Sequence, residues 1–210
     1  MLATVAGILL LALGGLIAVW ALAGPGGGPP AEAQQIPVTV GTSVPEVNGR
    51  PVAESLPASV PVRITIPAES VDAPVMKLGL NPNGTVQVPP LDNHNLAGWY
   101  TGSVTPGQTG ASIVLGHVDT YAGGSVFFKI KDLRPGDKID ILRADGITAI
   151  FTVDGLQKAA KVAFPSSSVY GNPGYPALRL VTCGGPFDSA TGEYLDNIIV
   201  YAHLTGSTRG

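Results

Sequence analysis

The sequence predicts an all-β domain, either a closed barrel or a sandwich, preceded by an apolar N-terminal segment able to cross a membrane. The main observation is a series of about seven or eight short apolar runs, separated by turn residues, that begins near residue 61. Glycine and proline number 28 and 19 among 210 residues, as is typical of chains with many turns. Only residues 92–103 and the segment around 165–170 look able to form short helices.

The composition narrows the classes of function. Charged residues make up 13% of the chain and the net charge is −3. Lysine and arginine form no cluster, so nucleic acid is not expected as a partner. The length suits a single domain of ordinary size with appendages.

The N-terminal segment, residues 2–23, contains no charged side chain. As a helix of about 22 residues it would span roughly 33 Å, against a hydrocarbon core of about 30 Å. Cleavable signal peptides usually have a shorter apolar region and a positively charged start. We therefore expect a single-pass membrane anchor with the rest of the chain outside the cell. The sequence ALA at residues 21–23 resembles a small-residue cleavage site and keeps cleavage open as the alternative, and both routes export the same domain.

A linker is expected after the anchor. Residues 24–60 are rich in Gly, Pro, Ser and Ala and show no apolar periodicity, which is typical of an extended spacer. The folded domain is expected over residues 61–205, with a short tail at 206–210.

Within the folded domain, the first runs predict separate short strands. Residues 62–67 (VRITIP) alternate in polarity and predict a strand. Residues 80–89 (LNPNGTVQVP) predict a turn at Asn83 and Gly84 followed by a strand. Residues 111–117 (ASIVLGH) predict a buried strand that ends at a histidine.

The second half of the folded domain is predicted to form longer strands. Residues 125–159 begin with a short helical or irregular piece and continue as strands divided by the turns RPGD and ADG. Residues 175–183 (YPALRLVTC) and 197–204 (NIIVYAHL) predict two strands buried on both faces.

Cys183 is the only cysteine and cannot form an internal disulfide. It is either an inert apolar side chain or a thiol kept for its chemistry. A cysteine nucleophile needs a base or cation nearby, because the thiolate is the reactive form. Of the three histidines, His117 has the matching position at a strand end, whereas His94 lies among polar residues and His203 near the C-terminus. One cysteine with scattered histidines does not have the spacing of a zinc site, and no phosphate-binding glycine loop is present. No metal or cofactor is expected.

Four motifs in order resemble the sortase family. LVTCGG is similar to the sortase signature, in which a strand ends in Thr-Cys, and IVLGHVD is similar to the segment that bears the sortase histidine. VFFKIKDLRPGDKIDI lies between them and resembles the corresponding sortase stretch. LAGWY, GHVDT, RADG and TCGGPFD together resemble the class F sortases of actinobacteria, and the likeness covers residues 60–204.

This resemblance implies a membrane-anchored cysteine transpeptidase on a closed eight-stranded β-barrel. Cys183 would attack the threonine carbonyl of a C-terminal sorting motif like Leu-Pro-X-Thr-Gly and form an acyl-thioester. A peptidoglycan precursor amine would then resolve the thioester. His117 would act as general acid and then general base, and Thr182 would help to line the substrate groove. The implied partners are secreted proteins that bear the sorting motif, the cell-wall amine and the membrane.

One position departs from the family pattern. Sortases of this kind usually have an arginine at the start of the last strand, where it donates hydrogen bonds to the substrate and to the oxyanion. The corresponding stretch here, GEYLDNIIVYA, contains no arginine. Asn197 falls at or beside that position, and Leu195 lies two residues earlier on the same strand face. Arg179 shares a strand face with Cys183 and is expected either to contact a bound peptide or to be an ordinary surface arginine.

Three alternatives remain at this stage. The same chemistry would serve a hydrolase or a pilin polymerase, depending on which nucleophile reaches the thioester. A non-catalytic surface β-barrel that binds sorting-motif or cell-wall peptides is favoured by the missing arginine. An L,D-transpeptidase is disfavoured, because that family's signature is Ser-His-Gly-Cys and this cysteine follows Val-Thr.

Overall fold

The computed structural model describes residues 46–47 and 49–210. The apolar segment at 2–23 and the first part of the predicted linker lie outside the described residues. Within the described ranges, no helix is long and apolar enough to span a membrane.

The fold is a closed β-barrel, which confirms the all-β prediction and excludes the sandwich. Its strands, all within residues 61–209, are β1 Pro61–Ile66, β2 Val71–Leu78, β3 Ala97–Tyr100, β4 Gly110–Leu115, β5 Lys138–Arg143, β6 Ile147–Ala160, β7 Pro176–Asp188 and β8 Glu193–Arg209. Their order around the barrel is β6-β8-β7-β4-β3-β2-β1-β5. The last strand of this order, β5, pairs with the first, β6, and this pair closes the barrel.

Most neighbouring strands are antiparallel, but β7 with β4 and β2 with β3 are parallel pairs. The β4–β7 pair matters most for function, because the carboxyl ends of two parallel strands emerge at the same edge of a sheet. Val181 on β7 lies opposite Leu115 on β4. Residues that follow these two positions along the chain are therefore brought side by side.

The barrel interior is a packed apolar core. Eight side chains that point inward from β5, β6 and β8 are completely buried, as expected when alternate residues of each strand face the interior. They are Ile139, Ile141, Ala149, Phe151, Val153, Val200, Ala202 and Leu204. This filled interior gives a rigid wall on which outward-facing groups are positioned.

The helices are few and short. α1 is Ser166–Tyr170, at the predicted place, and short 3-10 turns occupy Pro67–Glu69, Ile130–Asp132 and Lys161–Ala163. The prediction of a second short helix over residues 92–103 is wrong, because residues 97–100 form β3. There Trp99 is buried in the core and hydrogen-bonds through its indole N–H to the Val104 carbonyl at 3.1 Å.

Two other local expectations need correction. Residues 80–89 form the predicted turn, with Gly84 at φ +82°, but the following strand is reduced to a single bridge between Leu80 and Val86. The end of the predicted linker is ordered on the barrel. The amides of Ala53 and Leu56 donate to the carbonyls of Leu204 and Gly107 at 2.9 and 2.8 Å. These hydrogen bonds are long-range in sequence, which is why local composition does not indicate them.

Candidate active site

Cys183 and His117 meet at the edge of the parallel β4–β7 pair. Each lies two residues beyond the Val181–Leu115 register position. Both line one cavity with a volume of about 960 Å³, together with Thr182 and Asn197. The structure therefore brings the sulfur and the imidazole, which are far apart in sequence, to the same opening of the barrel.

Cys183 lies within β7 and does not end it, contrary to the sequence prediction. β7 continues to Asp188 after a register irregularity between Gly184 and Phe187. Gly185 in this irregularity has φ +74°, and a Cβ there would lie 2.1 Å from Oδ2 of Asp196. Gly185 is thus required by the backbone bend that presents the thiol.

The Cys183 thiol is free and partly buried. Burial raises the pKa of this thiol, because the thiolate loses solvation. The carboxylates of Glu193 and Asp119 act in the same direction on the pKa, whereas the ammonium of Lys161 opposes them. The resting thiol is consequently mostly protonated at neutral pH and depends on neighbouring groups for activation.

The His117 ring is held from one side. Its Nε2 lies 2.6 Å from the backbone carbonyl oxygen of Pro89. A carbonyl only accepts, so Nε2 donates this hydrogen bond, which leaves Nδ1 as the nitrogen able to exchange a proton. The loop that contains Pro89 thereby fixes both the tautomer and the orientation of the imidazole.

Asn197 lies directly opposite Cys183 in the antiparallel β7–β8 register. Directly opposite residues point to the same face of a sheet, so the amide and the thiol share the cavity. Leu195, two residues earlier on β8, is 49% exposed and carries no polar group. The Asn197 side chain is thus the hydrogen-bond donor of β8 nearest to the sulfur in register.

Thr182 also lines the cavity, with 4% of its surface exposed. Its Oγ1 is buried and has no hydrogen-bond partner among the described residues. Because side chains alternate along β7, the Thr182 hydroxyl points to the face opposite to Cys183.

Arg179 does not reach the cavity, and the expectation that it contacts a bound peptide is wrong. Its side chain is 2% exposed and donates to the carbonyls of Ser168 in α1 and Leu178 at 3.4 and 3.1 Å. Its guanidinium lies 4.6 Å from the ring centroid of Tyr201. α1 covers this part of the outer barrel face, so Arg179 supports the packing of α1 and is unavailable to a ligand.

The other two histidines are also separate from the site. His94 is exposed, and its contribution to the fold is a backbone carbonyl that accepts from Ser125 Oγ at 2.8 Å. His203 is completely buried, with Nδ1 at 2.6 Å from Oδ1 of Asp154. Both positions are structural.

Two polar pairs at the cavity were missed in the sequence. The Tyr194 hydroxyl donates to the Asp119 carboxylate, which raises the pKa of the tyrosine. Lys161 Nζ lies 3.0 Å from Oε2 of Glu193. The members of each pair are distant in sequence, so no local pattern indicates them. Of these four residues, only Asp119 lies in a motif identified from the sequence, GHVDT.

The remaining cavity wall is apolar. Val88 and Leu91 project from the loop that holds His117 and are 58% and 48% exposed. Phe187 is 57% exposed and packs edge-on against Tyr194, with ring centroids 5.2 Å apart. A thiol, an imidazole and an amide in an apolar groove are suited to acyl transfer from a peptide with apolar side chains.

Comparison with known proteins gives a consistent assignment. A model of the sortase domain matches residues 64–205. Sortase A from Corynebacterium diphtheriae, as a lid mutant, is 21% identical with a TM-score of 0.54, over 73% of this chain and 73% of that chain. SrtA sortase from Actinomyces oris is 21% identical with a TM-score of 0.52, over 77% and 89%.

Sortase C-1 from Actinomyces oris is likewise 21% identical with a TM-score of 0.54, over 70% of this chain and 75% of that chain. A search of curated proteins found no match. The solved structures share the barrel fold, and the family match spans more than half of the chain. The chain therefore belongs to the sortase family and is a cysteine transpeptidase.

Proposed function

We propose that this sortase cleaves a C-terminal sorting motif like Leu-Pro-X-Thr-Gly after its threonine and joins the new end to an amine of a cell-wall precursor. The observation that supports this most is the shared cavity of Cys183 and His117 at the β4–β7 edge. The motif resemblance to class F sortases supports a place in that class.

In the first half-reaction, the proton of the Cys183 thiol passes to His117, and the resulting thiolate attacks the threonine carbonyl carbon to form a tetrahedral intermediate. The carbon–nitrogen bond then breaks as His117 gives a proton to the departing glycine amine. The product is a thioester between Cys183 and the threonine. The C-terminal fragment of the substrate leaves with a free amino group.

In the second half-reaction, the incoming amine attacks the thioester carbonyl. His117, now neutral, accepts the proton that the amine loses. The carbon–sulfur bond breaks and Cys183 returns as a thiolate. Water in place of the amine would give hydrolysis, and a pilin lysine would give polymerisation.

The groove fits the first residues of such a motif. Exposed apolar side chains at Val88, Leu91 and Phe187 offer contacts for a leucine and a proline. The His117 loop and the β7–β8 turn would form the two walls around the peptide.

The direct test is intact-mass spectrometry of the full-length protein mixed with a sorting-motif peptide, with and without triglycine. We expect a mass increase on the enzyme equal to the acyl fragment, and a triglycine-coupled product when the amine is present. A hydrolysed product at every amine concentration would favour the hydrolase. A bound but uncleaved peptide, with no mass increase, would favour the non-catalytic barrel.

Replacing Asn197 with alanine is expected to lower kcat/KM on the peptide by about 100-fold, the usual effect of losing one oxyanion donor. The amide lies opposite Cys183 and is placed to donate to the oxyanion. Steady-state kinetics on a fluorogenic peptide would measure this, with Asn197→Gln as a variant that keeps an amide. Unchanged turnover in Asn197→Ala would remove this side chain from the mechanism.

We further propose that residues 2–23 anchor the chain in the cell membrane and that residues 61–205 act outside. Because Cys183 is the only thiol, it reports on topology directly. Intact cells that express the full chain are expected to be labelled by a membrane-impermeant maleimide, with the Cys183→Ala chain as the unlabelled control. Labelling that appears only after lysis would reject this topology.

A further inference from the structure

Lys161 lies on the same barrel face as Cys183. In the sheet register, Ala159 on β6 pairs with Asn197 on β8, and Asn197 pairs with Cys183 on β7. These three residues form one row across adjacent strands and point to one face. Lys161 follows Ala159 by two residues, at the start of the 3-10 turn that ends β6, and it lines the same cavity as Cys183.

The distance is short enough for an electrostatic effect. Two strand spacings of about 4.8 Å and two residues of about 3.3 Å each place the Lys161 and Cys183 Cα atoms about 12 Å apart. Lys161 lines the same cavity as Cys183, His117 and Asn197.

The β6–β8 pairing ends at Ala160 and Asp196, and Lys161 and Leu195 are the next residues beyond this last pair. Leu195 and Asn197 are the two β8 positions at which the arginine typical of the family is missing. Lys161, which directly follows β6, thus provides a cation where β8 has none.

Glu193 holds this cation at the cavity. Lys161 Nζ lies 3.0 Å from Glu193 Oε2, and the two side chains are 33% and 65% exposed. Among the described residues that line the cavity, Lys161 is the one lysine or arginine. The other titratable groups that line it are His117, Asp119 and Tyr121 after β4, and Glu193 and Tyr194 on β8.

We propose that Lys161 supplies the positive charge of this active site in place of an arginine on β8, and that Glu193 positions its ammonium. The charge stabilises the Cys183 thiolate against the cost of its burial. The effect of Lys161 on the thiol pKa has this sign. The consequence for turnover rests on the proposed transpeptidase function, whereas the effect on thiol ionisation does not.

The test compares Lys161→Met and Lys161→Arg with Lys158→Met in the full-length protein. Lys158 is a matched control, since it is a half-exposed lysine of β6 that pairs with Asp196 at 3.5 Å outside the cavity lining. The first readout is the pH dependence of Cys183 alkylation by iodoacetamide. The second is the ratio of alkylation rates with anionic iodoacetate and neutral iodoacetamide, and the third is kcat/KM on the sorting-motif peptide.

In the native protein, the alkylation rate is expected to keep rising above the pH at which free cysteine reaches its plateau, because burial raises the thiol pKa. Lys161→Met is expected to move this profile to still higher pH and to lower the rate at neutral pH about fivefold. The iodoacetate to iodoacetamide ratio should fall as well. Lys161→Arg should restore both readouts, and Lys158→Met should leave both unchanged.

Turnover of the peptide should fall about 10- to 100-fold in Lys161→Met and recover in Lys161→Arg. Alkylation profiles and turnover in Lys161→Met within twofold of the native protein would overturn the proposal, and so would an equal effect of Lys158→Met. If alkylation responds to Lys161 while even the native protein cleaves no peptide, the charge assignment is supported and the proposed function fails.

Discussion

Cys183→Ala is expected to abolish transpeptidation, with a loss of more than about 10⁴-fold in kcat/KM. No other thiol exists in the chain, so no neighbouring residue replaces the nucleophile. The variant should also show no acyl-enzyme in the intact-mass experiment. The site otherwise retains its groove, so the peptide should still bind, with an affinity measurable by fluorescence anisotropy.

Folding is the main control for this variant. Cys183 is only partly buried at the cavity, so removal of its sulfur should change the unfolding temperature little. Cys183→Ser is a second variant with nearly the same shape, and its hydroxyl is a much weaker nucleophile at neutral pH. Peptide cleavage in either variant at a rate near that of the native protein would place the nucleophile elsewhere.

His117→Ala is expected to reduce kcat/KM by about 10²- to 10⁴-fold, the usual contribution of general acid–base catalysis. The imidazole is held by the Pro89 carbonyl at the cavity that Cys183 lines. Its loss removes the group that protonates the leaving amine, so the expulsion of that amine should become rate-limiting.

His94→Ala is the matched control, because His94 is an exposed histidine whose contact to Ser125 uses its backbone carbonyl. It should leave kcat/KM within about twofold of the native value. If His94→Ala proved as damaging as His117→Ala, or if the His117 variant kept its full turnover, the assignment of the acid–base residue would be wrong.

Much of the predicted function follows from local patterns in the sequence. The strand that precedes His117 and the strand that contains Cys183 are apolar runs, and such runs indicate buried strands without reference to the rest of the fold. The motifs around both residues were sufficient to indicate the sortase family, which the family match confirms. The closed barrel follows from the same resemblance and is confirmed by the strand order.

Other features depend on contacts between distant residues. Residues 97–100 form a strand because β2 and β4 flank them, although their own sequence favours a helix equally well. Arg179 shares a strand face with Cys183, yet α1 covers that face at Arg179 and leaves it open at Cys183. Alternation within a strand predicts which side a residue faces, but not what packs against that side.

The amino-acid sequence by itself determined the nucleophile, its histidine and the strands that present them, because each of these signals is contained within a few consecutive residues. The tertiary structure decided the electrostatic surroundings of the thiol. Lys161 and Glu193 are 32 residues apart and meet only because β6 and β8 pair in one register. Strand register is set by the packing of the whole barrel, so the charge at the active site appears only once the barrel closes.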